Sequence, residues 1–175
     1  NIDFEIVSSL EKAKKRPVVE TQRDRFDEES EEGSLGTRLS LIPRDTDLDV
    51  GDTVEIDVYL DNPNREAIDS VSLLIAYNPR IFEPVDADDY AAGINLDDKD
   101  YYEEFPFDFP LINSIDEERG LIDYRKRVNR APVKGEGILA TIRLRAIRPT
   151  TKTTLRIFLN ESGEEPTTGI FYRNR

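Results

Sequence analysis

Ser70 to Glu83 reads SVSLLIAYNPRIFE, an apolar run interrupted by a Tyr-Asn-Pro turn. Side chains of a strand alternate between two faces, so Val71, Leu73, Ile75 and Tyr77 share one face. Ser70, Ser72, Leu74 and Ala76 share the other. The first face is large and β-favouring, as a core requires. The second is small and mixed, neither a second core face nor a charged, solvated one, and it is the expected working surface. Pro79 sets a bend, and Ile81 to Val85 continues as a further strand.

The same periodicity recurs on both sides of this stretch. Arg38 to Ile42 is a short strand stopped by Pro43, and Thr53 to Leu60 sets Val54, Ile56, Val58 and Leu60 against Glu55, Asp57 and Tyr59. Asp61 to Arg65 is a turn cluster. Further strands are expected at Phe109–Asn113, Leu121–Val128, Ile138–Arg148, Thr153–Leu159 and Gly169–Arg173. In the third of these Ile138, Ala140, Ile142, Leu144 and Ala146 are the inward set. Many short strands with regular turn signals indicate an all-β antiparallel sandwich. Residues 1–36 differ: Ile2 to Arg16 has helical spacing and a basic end before Pro17, and Glu20 to Gly36 is charged and poor in apolar residues. They are expected to form a charged linker or tether, with a short helix at its start, ahead of a sandwich domain over residues 37–175.

The totals narrow the chemistry. The 175 residues include no Cys and no His, which removes thiol chemistry, the commonest general base and the commonest transition-metal ligand. The chain is therefore not expected to be an enzyme. No run approaches a membrane span. The net charge of -13 argues against nucleic acid, although it is unevenly placed. Residues 83–118 carry 13 acidic side chains and one basic one, whereas residues 119–175 carry 13 basic and five acidic.

Few motifs carry chemistry. Asp45, Asp47 and Asp49 alternate like the start of an EF-hand loop, which would take calcium. The match fails at the sixth position, Val50, and at the twelfth, Ile56, so a solvated acidic turn is the expectation. Asp97-Asp98-Lys99-Asp100 with Glu103-Glu104 reads as a solvated loop. Tyr90, Tyr101, Tyr102, Phe105, Phe107 and Phe109 are expected to cap the open end of the core. The alternative is a sugar-stacking platform built on Tyr90, Tyr101 and Tyr102. Arg125, Arg127, Arg143, Arg145 and Arg156 point out of their strands.

The order of elements from about Arg38 onward resembles a cohesin-type domain. The residues that carry the resemblance are the first strand LSLI, then Val50-Gly51-Asp52-Thr53-Val54-Glu55-Ile56-Asp57-Val58, and the long strand ending Tyr77-Asn78-Pro79 with Ile81-Phe82-Glu83. Gly120-Leu121-Ile122 and Gly137-Ile138-Leu139-Ala140-Thr141-Ile142-Arg143-Leu144 complete them. The resemblance implies a β-sandwich with jelly-roll topology, in an extracellular or cell-surface setting. It also implies a non-catalytic module that binds a protein, a dockerin or another partner, through one sheet face. Carried over, the partner-binding positions are Ser70, Ser72 and Leu74 with Asp123, Arg125 and Arg127. In the family the calcium belongs chiefly to the dockerin, so no cofactor is expected on this chain. A carbohydrate-binding module and a structural spacer within a larger surface or secretion protein are the competing readings.

Overall fold

The computed structural model describes residues 3–7, 36–87, 91–98, 107–129, 131–158 and 168–173. Among them the regular elements are all strands: β1 (Asp3–Val7), β2 (Arg38–Pro43), β3 (Thr53–Asp61), β4 (Ile68–Ala76), β5 (Phe82–Pro84), β6 (Asp97–Asp98), β7 (Phe109–Asp116), β8 (Leu121–Arg127), β9 (Gly137–Ala146), β10 (Lys152–Ile157) and β11 (Gly169–Tyr172). Two sheets pack as a jelly-roll sandwich. One has the order β1-β10-β4-β8-β7, with β11 also beside β4. The other runs β2-β3-β9-β5, with β6 also beside β9. All pairings are antiparallel except that of β1 with β10.

Alternation builds the core as expected. Val71, Leu73 and Ile75 of β4 are buried, with Ile122 and Tyr124 of β8, opposite Val54, Ile56, Val58 and Leu60 of β3. In β9 the alternation breaks once, where the β3–β9 register shifts between Val58 and Tyr59. Val58 pairs with Ala140 and Tyr59 with Ile138, so Leu139 is the extra residue and takes the buried position. Ile138, expected inward, is therefore only half-buried.

The Tyr-Asn-Pro turn and the Gly-Leu-Ile segment meet in space. Tyr77 N–H donates to the Gly120 carbonyl at 2.9 Å. Gly120 has φ 66°, and a Cβ there would lie 2.4 Å from the Tyr77 carbonyl oxygen and 2.7 Å from Pro79 Cδ. Both the left-handed backbone and the close approach demand glycine.

Three expectations are corrected. Asp3–Val7 are a strand and not the start of a helix. They are registered from Asp3 opposite Lys152 to Val7 opposite Arg156, which places Phe4 and Ile6 opposite the buried Thr153 and Leu155. Only Arg156 and Ile157 of β10 pair with β4, so most of β10 has β1 as its ladder partner. A backbone edge in need of partners outweighs the weak helical preference of a short segment. The tether expected after it lies outside the described residues. Next, Asp97-Asp98 is not a solvated loop but a two-residue strand against Thr141 and Ala140. Finally, β7 runs past Asn113 to Asp116, since its register with β8 continues to Leu121.

Candidate functional site

The outward positions of β4 and β8 come together as the sequence predicts. Ser70 is registered opposite Arg127, Ser72 opposite Arg125 and Leu74 opposite Asp123. The strands on either side extend these pairs into rows. Phe109, Arg127, Ser70 and Phe171 form one row, and Ile112, Arg125, Ser72 and Gly169 form the next. Ser114, Asp123 and Leu74 form the third, and Phe158 joins it by donating its N–H to the Leu74 carbonyl at 2.9 Å.

Leu74 marks a break in the sheet. Thr168 N–H donates to the Phe158 carbonyl at 3.3 Å, and Leu74 N–H donates to Thr168 Oγ1 at 2.9 Å. Phe158 and Thr168 thus both bond to Leu74, and β10 and β11 share that edge of β4.

Charge on this face is held differently from place to place. Arg125 forks onto Asp123 of its own strand, Nε to Oδ1 at 2.8 Å and Nη2 to Oδ2 at 3.1 Å. Arg127 stacks over the Phe109 ring with its guanidinium carbon 4.3 Å from the centroid. Arg156 is exposed beside Ala76. Among the predicted residues Ser72 is an exception in accessibility: it is 7% exposed and lies beneath the face. It sits between Arg125 and Gly169, and the Phe171 ring folds back so far that a Cβ at Gly169 would meet it at 3.3 Å.

Several residues of the face escape a reading of the sequence. Phe109, expected to cap the core, is exposed on this face, whereas Phe107 is buried. Phe158 and Phe171 are exposed as well, the latter at 45%. Their signal was present, as large apolar residues at outward positions of alternating strands. It becomes decisive only when the pairing puts them in rows with β4.

The other candidates resolve into local structure or fall elsewhere. Asp45 Oδ1 accepts the Asp47 N–H at 2.9 Å, as in an Asx turn, and Asp52 Oδ2 accepts the Asp49 N–H at 2.9 Å, closing the turn from its other end. Among the described residues no group of three or more His, Cys, Asp or Glu side chains is placed to hold a metal. Tyr90, Tyr101 and Tyr102 lie outside the described residues. Arg143 and Arg145 belong to the opposite outer face, where Arg143 meets Glu55 at 3.2 Å and Asp97 at 3.0 Å and Arg145 pairs with Glu83.

The chain is similar in fold to solved cohesin structures. A type II cohesin domain from the cellulosome of Acetivibrio cellulolyticus superposes with a TM-score of 0.58 at 16% identity, over 77% of this chain and 82% of the other. The cohesin of a type II cohesin–X–dockerin complex from the same organism gives 0.55 at 14% identity, over 77% and 84%. A type II cohesin from Bacteroides cellulosolvens gives 0.53 at 14%, over 77% and 98%. No protein-family model and no curated protein sequence matches the chain. No helix among the described residues is long and apolar enough to cross a membrane.

Proposed function

We propose that this chain, which has a cohesin fold, is a non-catalytic module that binds a protein partner through the outward face of β4, β7, β8 and β11. The observation that carries the reading is the row Phe109–Arg127–Ser70–Phe171, with Leu74 and Phe158 two rows further along the same face. Exposed aromatics and an Arg stacked on a ring have the composition of an interface hot spot and not of a solvated surface. A solvated strand face would carry charged residues at these positions. The partner on this reading is dockerin-like, since two of the structurally similar chains were solved as cohesins in complex with dockerins. The setting is extracellular or at the cell surface.

The test is affinity capture from the source organism's secretome with the wild-type chain and with a Leu74→Arg, Arg127→Glu variant, partners being identified by mass spectrometry. The expected result is one protein retained by the wild type and depleted at least tenfold by the variant. Equal recovery by both would remove this face as the site.

A further inference from the structure

The alternation of β8 that turns Arg125 and Arg127 outward turns Lys126 inward, where its side chain is only 3% exposed. Its Nζ lies 2.8 Å from Asp98 Oδ1, and the Asp98 side chain is 12% exposed. Asp98 belongs to β6, in the sheet opposite β8, so the pair spans the sandwich between residues 28 apart in sequence. The hydroxyl of the fully buried Tyr124 lies 3.0 Å from the same Oδ1 and 3.2 Å from the Leu139 carbonyl. An amine and a carboxyl group are thus held in contact by two different sheets, with a phenol on the carboxyl oxygen and little access for water.

We propose that Lys126 and Asp98 condense to an intramolecular amide that joins the two sheets covalently. Two desolvated opposite charges are costly to keep, and the amide removes both. The step balances within the site. A proton passes from the Lys126 ammonium to Asp98 Oδ1, giving an amine and a carboxylic acid. The Nζ lone pair attacks Cγ and the nitrogen–carbon bond forms. Oδ1, held by the Tyr124 hydroxyl, takes a second proton from the nitrogen and departs as water while the Cγ–Oδ1 bond breaks. An ammonium and a carboxylate have then become an amide and one water, with no oxidant, reductant or activated co-reactant. Fixing both groups on rigid strands makes the encounter effectively unimolecular, which is the largest advantage a site of this kind offers. Burial of the product then protects it from hydrolysis. The bond would close a loop that contains all of β7, one edge of the proposed partner face, although the inference does not depend on that face.

The experiment is the intact mass of the full chain under denaturing conditions. The wild type is expected to be lighter than its sequence by one water. A proteolytic digest is expected to contain a branched peptide joining the Asp98 and Lys126 segments. Lys126→Arg and Asp98→Ala are each expected to restore the full sequence mass, which denatured chains report whether or not they fold. A wild type at full sequence mass overturns the proposal and leaves a buried ion pair. A water loss that persists in Lys126→Arg overturns it as well.

Discussion

The two outer faces of the sandwich are built from the same strand alternation and end up with opposite chemistry. On the β2-β3-β9-β5 sheet, charges answer one another across strands. Arg44 grips Asp57 with two bonds at 3.0 and 2.9 Å and reaches Glu55 as well. Thr141 donates to Asp57 at 2.8 Å, and Arg143 bridges Glu55 to Asp97. On the β4-β8-β7 sheet the outward rows hold Phe109, Ile112, Leu74 and Phe171, and one of the two central arginines is stacked on a ring. A face whose polar groups satisfy one another has little to offer a partner. A face with exposed aromatic area has binding energy in reserve, because covering it removes apolar surface from water. The lesson is that net charge does not locate the interface in a chain of charge -13. What matters is which charges are already answered.

Changes on the two faces should therefore separate stability from binding. The largest effect on stability is expected for Asp57→Ala, which strips a buried carboxylate from Arg44 and leaves the Thr141 hydroxyl buried without that acceptor. Urea denaturation should show a loss of about 2–3 kcal/mol with partner capture intact. Leu74→Ala on the other face should lower capture severalfold while costing less than about 1.5 kcal/mol, since its side chain is half-exposed. Arg127→Ala, removing the stack on Phe109, should cost about 0.5–1 kcal/mol in a double-mutant cycle with Phe109→Ala. Arg145→Ala removes an exposed pair with Glu83 and should change stability by no more than about 0.5 kcal/mol.

A control belongs to neither face. Burial, with Glu117 and Asp116 nearby, pushes the Tyr77 phenol up to about 12 from 10.0. The folded state holds the neutral phenol, so this contribution is fully present below pH 10.0 and is lost as pH rises through about 12. Tyr77→Phe should flatten the fall in stability over that range, read by denaturant melts at a series of alkaline pH values. It should leave capture at neutral pH unchanged.

Parts of this structure differ in how far they can be read in advance. β3, β4, β8 and β9 are legible because each carries its own inward set, and a period of two suffices to orient it. Leu74, Arg125 and Arg127 follow from the same count, as outward neighbours of inward residues. β1 and β6 are not legible. Each is short, and each is a strand because a neighbouring ladder offers it hydrogen bonds, which no property of DFEIV or of two aspartates announces. Ile138 fails for a related reason, since a bulge depends on how two strands meet. Lys126 was visible at an inward position between Tyr124 and Val128, yet a lysine inside a sandwich is understood only when a carboxylate from another sheet is found beside it.

The sequence by itself determined the class of fold, the long strand at Ser70–Tyr77 and the two sides of that strand, because hydrophobic alternation is a local property. The tertiary structure alone decided what stands next to each side. It brought Phe109 and Phe171 into one row with Ser70, set Phe158 beside Leu74, sank Ser72 beneath the face and set Asp98 against Lys126. Strand pairing joins residues far apart in the chain, and the chemistry of a face is a property of those pairs and not of any one strand.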